Sequence, residues 1–254
     1  MSPARPSPDE VKPEELLIAI IARLLEGCRL VAAGASSPIP GGGCLLARRQ
    51  SGDAMHVNIL GSRANNLMTN GGVELFDWAG QGRLDAFFLG GGQIDGQANI
   101  NLVGTGDYPN NDIRWPGSFG SAYLYYLVPR VILFREEHSR RVFVPKVDFV
   151  STPGTSGKDI YRTGGPYAMV TPLCLMGFDA ARARFHLKSV HPGHTVEEVR
   201  DNTGFDFDIP DDVPETVLPD RATLDEIRRH VSLEIAETYP RFAQRVFPEA
   251  MQAA

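Results

Sequence analysis

The stretch Ala86-Phe87-Phe88-Leu89-Gly90-Gly91-Gly92-Gln93-Ile94-Asp95 combines an apolar run with three consecutive glycines. Four successive apolar residues without polar alternation predict a strand that is buried on both faces, as in a parallel sheet. The glycines predict a sharp exit from the strand, where the backbone can approach a ligand closely. This stretch therefore favours an α/β fold with a candidate ligand loop at the carboxyl end of a strand.

Strands and helices alternate on both sides of this stretch. Upstream, we predict the strand Leu30–Ala33, the helix Gly41–Arg49, the strand His56–Leu60 and the helix Val73–Ala79. Downstream, we predict strands at Val131–Phe134 and Phe149–Ser151, and an antiparallel pair formed by Ala168–Phe178 and Arg184–Val190. This alternation predicts the α/β class, with an open, mostly parallel sheet that carries helices on both faces.

Helix-start signals occur near both ends of the chain. Pro13 followed by Glu14 and Glu15 is typical of a helix N-terminus, because acidic groups favour the positive end of the helix dipole. Thr195 and Thr223 each precede a glutamate by three residues, which matches a capping box. We therefore expect an N-terminal helix and two short C-terminal helices.

The composition is that of an ordinary globular protein, with 254 residues, 43% hydrophobic and 22% charged. Residues 1–12 contain several prolines among small polar residues, and we expect them to be disordered. They lack the basic and apolar regions of a signal peptide, so no export is predicted. Residues 13–254 are predicted to form a single α/β domain.

Charge, apolar runs and cysteines restrict the function classes. A net charge of -6 without a clustered Lys/Arg face argues against nucleic-acid or anionic-membrane partners. The apolar run Leu16–Leu25 is shorter than the ~20 residues that a membrane span requires, and it predicts a buried helix. Cys28, Cys44 and Cys174 have no Cys-x-x-Cys spacing, so we predict no disulfide framework, no metal site and a cytoplasmic location.

The segment from Gly90 to Asp95 has two open interpretations. Consecutive amides there can hold a phosphate or a developing oxyanion, but a tight turn explains the glycines equally well. Contiguous glycines without an identifiable downstream acid do not match a dinucleotide fingerprint. Asn99 and Asn101 alternate with Ile100, and they either brace a neighbouring loop or contact a ligand.

Two further segments are weaker candidates. Gly117-Ser118-Phe119-Gly120-Ser121 is a second amide-rich turn, but it lacks the Gly-x-Ser-x-Gly order that would identify Ser118 as a nucleophile. His191-Pro192-Gly193-His194 places two imidazoles close together without a third ligand motif. We interpret the histidine segment as a turn rather than a metal site.

The order of these segments resembles the B subunits of the family I coenzyme A transferases, such as glutaconate CoA-transferase. The resemblance spans roughly residues 14–235. It is carried by Leu89–Asp95 with Asn99–Asn101, by Gly106–Tyr108, by Gly117–Gly120, by Arg140–Gly154 and by Asn202–Asp206.

The resemblance implies an open α/β CoA-transferase fold, an A-type partner subunit in a heterodimer or heterotetramer, and an acyl-CoA substrate. Coenzyme A would be part of the substrate, with no permanently bound cofactor. In the family, coenzyme A is carried as a thioester on a glutamate of the B subunit. The turn Gly117–Ser121 corresponds to the family's oxyanion loop, and Gln93 to a glutamine beside the thioester.

Two departures from the family pattern concern the chemistry. Leu60 falls where the family has its nucleophilic glutamate, and a leucine cannot attack a thioester. The nearest downstream acid, Glu74, is expected to face solvent on a helix. Phe119 replaces the first of two paired glycines in the oxyanion loop. Both departures resemble the B subunit of steroid-degrading ring-opening hydrolases, whose catalytic glutamate belongs to the A subunit.

Three functional hypotheses follow for this B-type subunit. It takes part in CoA transfer, in hydrolytic ring opening of a cyclic β-keto acyl-CoA, or only in completing the partner's pocket without catalytic residues of its own. The resemblance to the family as a whole favours the first hypothesis, and the departures at Leu60 and Phe119 favour the second.

Overall fold

A computed structural model of the protein describes residues 6–69 and 72–253. Residues 1–5 of the predicted disordered segment 1–12 lie outside this description, as do residues 70, 71 and 254. Within the rest of that segment, Pro8–Glu10 form a short 3-10 helix. The boundaries 1–12 and 13–254 stay predictions.

Regular secondary structure runs through both halves of the described chain. The helices are α1 (Pro13–Leu24), α2 (Pro38–Gln50), α3 (Gly72–Gly80), α4 (Ser121–Leu127), α5 (Val196–Asn202), α6 (Arg221–Glu226), α7 (Ser232–Thr238), α8 (Pro240–Val246) and α9 (Pro248–Ala253). A π-helical turn, Ile227–Val231, joins α6 to α7. The strands are β1 (Leu30–Ala33), β2 (His56–Ile59), β3 (Ala86–Leu89), β4 (Gln93–Ile94), β5 (Ile100–Asn101), β6 (Gly104–Thr105), β7 (Ile113–Arg114), β8 (Arg130–Phe134), β9 (Pro166–Val170), β10 (Cys174–Asp179) and β11 (Arg184–Val190).

Seven strands form the main sheet in the order β11-β10-β9-β8-β3-β1-β2. The pairs β1/β2 and β8/β9 are parallel, whereas β9/β10 and β10/β11 are antiparallel. Gly90, directly after β3, lies beside the end of β8, since a Cβ built there would be 2.9 Å from the Phe134 carbonyl oxygen. Strands β3 and β8 therefore end at the same edge. The predicted α/β class with a mostly parallel sheet is confirmed.

The chain divides into two compact units. The first comprises the described residues of 1–75, 83–86 and 217–254, and the second comprises residues 76–82 and 87–216. The core of the second unit includes the fully buried Phe143 and Phe185, of which Phe185 belongs to β11. The small hairpins β4/β5 and β6/β7 also belong to this unit.

Helix α1 supplies much of the core of the first unit. The carboxylate of Glu15 accepts a hydrogen bond of 2.9 Å from the Lys12 amide, which caps the helix start. The same buried carboxylate lies 2.7 Å from Nε of Arg228, so its charge is paired. The stretch Leu16–Leu25 is buried apart from Arg23, as predicted. Among residues 6–69 and 72–253, no helix has the length and apolar character of a bilayer-spanning segment.

Candidate functional site

The glycine segment joins β3 to the β4/β5 hairpin in the second unit. The Gly92 amide donates a hydrogen bond of 2.9 Å to the Asn101 carbonyl. Gly92 also packs directly against the indole ring of Trp115, which a larger residue could not do. The predicted sharp exit from the strand is thus present, and its backbone lies close to two neighbouring segments.

Gln93 is the first residue of this hairpin, and its side chain is 6% exposed. Its amide oxygen accepts hydrogen bonds from Nδ2 of Asn101 at 2.7 Å and from the Asp148 amide at 3.0 Å. Its amide nitrogen donates to the Asp148 carboxylate at 3.0 Å. That carboxylate also accepts a bond from the Gly106 amide at 3.0 Å. Gln93 is therefore held in one orientation by residues far away in the sequence.

Asp95 and Asn99 organise the loop between β4 and β5. The Asp95 side chain is 5% exposed and accepts bonds from the amides of Gln97 and Asn99 at 3.0 and 3.1 Å. It also accepts one from Nδ2 of Asn99 at 3.0 Å. The Asn99 side-chain oxygen in turn accepts a bond of 3.0 Å from the Gly154 amide. Both side chains thus brace the loop.

Replacing Asp95 by alanine is expected to lower the free energy of unfolding by about 2 kcal/mol, because three hydrogen-bond donors lose their buried acceptor. Urea unfolding of the purified protein measures the change. Asp206→Ala is the control, because this exposed carboxylate lies near the same loop, and its loss should change stability by no more than about 0.5 kcal/mol. Equal stability of the two variants would mean that Asp95 does not fold the loop.

A cavity of about 520 Å³ adjoins this loop, and Asp95, Asn99, Lys146, Arg182 and Arg184 are among its lining residues. The guanidinium groups of Arg182 and Arg184 both bind the carboxylate of Asp208, with Nε of Arg184 at 2.6 Å. Hydrogen bonds from Arg184 and then Arg182 lower the pKa of Asp208 below its ordinary value. Two cations share one carboxylate, so this wall of the cavity keeps positive charge.

The second predicted loop, Gly117–Ser121, leads into α4. The Ser118 carbonyl accepts a hydrogen bond of 2.9 Å from the Ser121 amide, and Gly120 is the residue that precedes the helix. Phe119 has a φ of +47° and is 86% exposed, with its ring centroid 5.6 Å from that of Phe76. This backbone conformation favours glycine, so Phe119 carries a bulky side chain at a position suited to a smaller residue.

Leu60 follows β2 in the first unit and is half-buried. Its amide donates a hydrogen bond of 3.0 Å to the Ala33 carbonyl at the end of β1. The carboxylate of Glu237 in α7 reaches the next residues, accepting bonds from the Ser62 hydroxyl at 2.6 Å and the Arg63 amide at 2.9 Å. These bonds, that of Ser62 foremost, lower the pKa of Glu237.

Glu74, the other acid considered for this region, also binds its own chain. Its carboxylate accepts hydrogen bonds from the Thr69 amide and, at 2.9 Å, from the Thr69 hydroxyl. A carboxylate that accepts several hydrogen bonds is a weaker nucleophile than a free one. Among residues 6–69 and 72–253, there is also no cluster of three or more His, Cys, Asp or Glu residues arranged to hold a metal ion.

Comparison with known proteins identifies the family. The coenzyme A transferase profile matches residues 13–202. The chain belongs to the coenzyme A transferase family. In sequence, this member of the family is 32% identical over 175 residues to the B subunit of 3-oxoadipate CoA-transferase from Pseudomonas knackmussii, covering 66% of each chain.

Two other relatives are named for reactions that differ from each other, a CoA transfer and a hydrolysis. The B subunit of glutaconate CoA-transferase from Acidaminococcus fermentans is 31% identical over 169 residues, which is 63% of this chain and 62% of the relative. The cholesterol ring-cleaving hydrolase IpdB subunit of Rhodococcus jostii is 29% identical over 150 residues, covering 52% of this chain and 53% of the relative. The chain thus spans less than two thirds of the length of the curated relatives it matches.

Solved structures show the same fold over more of the transferase-family chain. The crystal structure of Rhodococcus jostii RHA1 IpdAB has a TM-score of 0.77 and 25% identity, covering 86% of this chain and 94% of the other. Glutaconate coenzyme A-transferase from Acidaminococcus fermentans has a TM-score of 0.75 with the same identity and coverage. The predicted CoA-transferase fold and family resemblance are confirmed.

One candidate residue was missed by sequence reasoning. Arg135 directly follows β8, and its Nε atom is buried without a hydrogen-bond acceptor among the described residues. In the sequence it precedes a mixed-charge segment that is typical of a solvated face, so no local signal distinguishes it. Arg135 stands out only in the folded structure, where it lies beside the ends of neighbouring strands.

Proposed function

We propose that this chain is the B subunit of a heteromeric enzyme that acts on an acyl-CoA thioester, with an A-type subunit that supplies the catalytic carboxylate. The proposal is supported mainly by the residue that follows β2. Leu60 follows that strand, and the nearby acid Glu237 and the downstream acid Glu74 are both hydrogen-bonded to their own chain. Family membership supports the CoA-thioester substrate.

Hydrolytic ring opening is the reaction that fits both departures, Leu60 and Phe119. A carboxylate of the partner takes a proton from water, and the hydroxide oxygen bonds to the ring ketone carbon of a cyclic β-keto acyl-CoA. The bond from that carbon to the carbon beside the thioester breaks, and its electron pair passes to the thioester as an enolate. The partner's protonated carboxyl returns the proton to the enolate carbon. Amides of the Gly117–Ser121 loop are suited to stabilise the enolate oxygen.

CoA transfer is the second candidate, and two curated relatives are named for it. A carboxylate attacks the thioester carbonyl, the CoA thiolate leaves, and an enzyme anhydride forms. The thiolate then attacks the enzyme's acyl carbon, releasing the substrate carboxylate and leaving an enzyme-bound thioester. Leu60 cannot carry out this step, so transfer would need another carboxylate of this chain. A chain without any catalytic residue is the third hypothesis.

Borohydride trapping with the assembled two-subunit enzyme tests the proposal. We expect no reduced glutamyl thioester in this chain after incubation with an acyl-CoA, because Leu60 offers no carboxylate. The Leu60→Glu variant is expected to form the adduct at position 60, detected by peptide mass spectrometry. Leu67→Glu is the control, because Leu67 is an exposed leucine seven positions further along and should trap nothing.

The outcomes separate the reactions. A trapped adduct on the unmodified chain would contradict the proposal and establish CoA transfer. Water-dependent opening of a cyclic acyl-CoA by the complex, without an adduct, supports hydrolysis. If the complex binds acyl-CoA and every residue needed for catalysis belongs to the partner, this chain only completes the partner's pocket.

The remaining features of the proposal concern ligands, location and partners. We propose that coenzyme A is bound as part of the substrate, that no cofactor is held permanently, and that the enzyme is cytoplasmic. The partner is a chain of the same fold family, in a heterodimer or heterotetramer. Neither nucleic acid nor a membrane is a proposed partner, given the net charge of -6.

A further inference from the structure

Three aromatic side chains of the second unit, Phe76, Phe119 and Tyr123, form a cluster at the surface. Phe119 is the most exposed of the large apolar side chains within residues 6–69 and 72–253, and Tyr123 is exposed as well. The ring centroid of Phe76 lies 5.6 Å from that of Phe119 and 5.7 Å from that of Tyr123. The three rings thus make one continuous apolar surface, which marks an interaction site more strongly than scattered single residues do.

The loop that carries Phe119 is held in one position. A Cβ built at Gly120 would lie 2.1 Å from the Phe76 ring, so the loop backbone packs tightly against that ring. The buried hydroxyl of Ser121 lies 3.1 Å from the hydroxyl of Thr152, which anchors the other side of the loop. A side chain that is presented in a fixed position loses little conformational entropy when it binds a partner.

Phe119 is unfavourable for the isolated chain in two respects. Its φ of +47° lies in the left-handed region, where a side chain crowds the backbone, and its apolar ring is left in water. Glycine would remove both costs. A bulky residue that is held in such a conformation at the surface points to a role outside the folding of its own chain.

The proposed reaction determines which molecule covers this cluster. In that reaction, amides of the Gly117–Ser121 loop stabilise the enolate oxygen, while the carboxylate that acts on the same substrate belongs to the A-type subunit. Reacting groups approach to about 3.5 Å, so the A-type subunit must come close to this loop. Its surface therefore extends onto the aromatic rings that adjoin the loop.

We propose that the cluster of Phe76, Phe119 and Tyr123 is a docking surface for the A-type subunit, which receives the Phe119 ring in an apolar pocket. Aromatic side chains that fill a pocket of the partner contribute much of the binding energy of protein interfaces. The inference rests on the proposed function, and it adds the surface through which this chain holds its partner.

Sedimentation velocity of the two-subunit complex over a dilution series measures the Kd for association of the subunits. We expect Phe119→Ala and Phe119→Gly each to raise this Kd by about 30-fold, because both remove the ring of an interface hot spot. Phe119→Leu should keep most of the affinity, since its side chain is also large and apolar. In urea, the purified Phe119→Gly chain should unfold at a higher midpoint than Phe119→Ala, because only glycine is unstrained at this φ.

Tyr161→Ala is the matched control, because Tyr161 is another exposed aromatic residue on a loop of the second unit. It should leave the Kd unchanged. Unchanged association of both Phe119 variants would overturn the inference, and a raised KM for acyl-CoA in that case would place the ring against the substrate. Weaker association of Phe119→Ala but not of Phe119→Gly would trace the effect to backbone strain and would also overturn it. An unmodified chain that forms no complex with an A-type subunit would overturn the proposed function as well.

Discussion

Replacing Gly154 by alanine is expected to lower the free energy of unfolding by on the order of 3 kcal/mol. A Cβ at this position would lie 2.0 Å from the Gln97 carbonyl oxygen and 2.8 Å from the carbonyl carbon and oxygen of Ala98. These are backbone atoms, and the Asp95 carboxylate holds their loop in place by accepting hydrogen bonds from the amides of Gln97 and Asn99. The loop cannot move aside without losing those hydrogen bonds. Urea unfolding followed by circular dichroism measures the loss.

Gly165→Ala is the matched control for this prediction. A Cβ there meets the Arg162 side chain only at 3.6 Å, which is ordinary van der Waals contact. The change should therefore alter stability by no more than about 0.5 kcal/mol. If the two alanine variants unfolded at the same urea concentration, the close approach of residue 154 to the hairpin loop would be disproved.

Acid is expected to destabilise the protein through two histidines in the second unit. Nε2 of His191, 3% exposed, lies 3.0 Å from the Thr171 carbonyl oxygen, and its Nδ1 lies 2.8 Å from the Thr216 hydroxyl. Nδ1 of His138 lies 2.8 Å from the Thr171 hydroxyl. Burial is the main cause that lowers the pKa of each histidine to about 4. Both imidazoles are therefore neutral in the folded protein at pH 7.

Protonation favours the unfolded chain, in which histidine has a pKa of about 6.5. The stabilisation from neutral burial is complete above that pH and is lost as the pH falls toward 4, where the folded protein also takes up the proton. A lowering of this size corresponds to about 3 kcal/mol for each histidine. We expect the free energy of unfolding, measured in urea at a series of pH values, to decrease over this window.

The variant His191→Asn separates this effect from the titration of carboxylates. It should be less stable at pH 7, because hydrogen bonds are lost, but its stability should fall less between pH 6.5 and 4 than that of the unmodified protein. His56→Asn is the control, since His56 is exposed and its removal should leave the pH dependence intact. Parallel curves for the unmodified and His191→Asn proteins would refute the assignment.

Local pattern was sufficient for the central strands. Leu30–Ala33 and Ala86–Leu89 were predicted with the bounds that the structure has, because short apolar runs bounded by turn residues specify a buried strand locally. Helix α5 was also predicted correctly: the Thr195 hydroxyl accepts a hydrogen bond of 3.1 Å from the Glu198 amide. These features depend on residues only a few positions apart, which a sequence shows directly.

Other predictions were wrong where distant contacts decide. The strand predicted at Phe149–Ser151 is absent, and Thr152 instead forms an isolated bridge with Ile100. Thr223 does not cap a helix, because Asp220 is the N-cap residue of α6 and its carboxylate accepts a hydrogen bond of 2.8 Å from the Thr223 amide. His138 lies in the mixed-charge segment Glu136–Arg141, whose composition is typical of a solvated face, but its imidazole is packed between the hydroxyls of Thr171 and Thr203.

The sequence by itself determined the α/β class, the central strands, the family resemblance and the loops that carry Gly90, Gln93 and Asp95. Periodicity, turn residues and ordered motifs are local properties, so they can be read without coordinates. Only the tertiary structure decided that Gln93 binds Asp148, that Gly154 touches the hairpin loop, and that the Nε of Arg135 has no acceptor among the described residues. Each of these depends on segments that are brought together by folding, and their hydrogen-bond partners cannot be inferred from spacing along the chain.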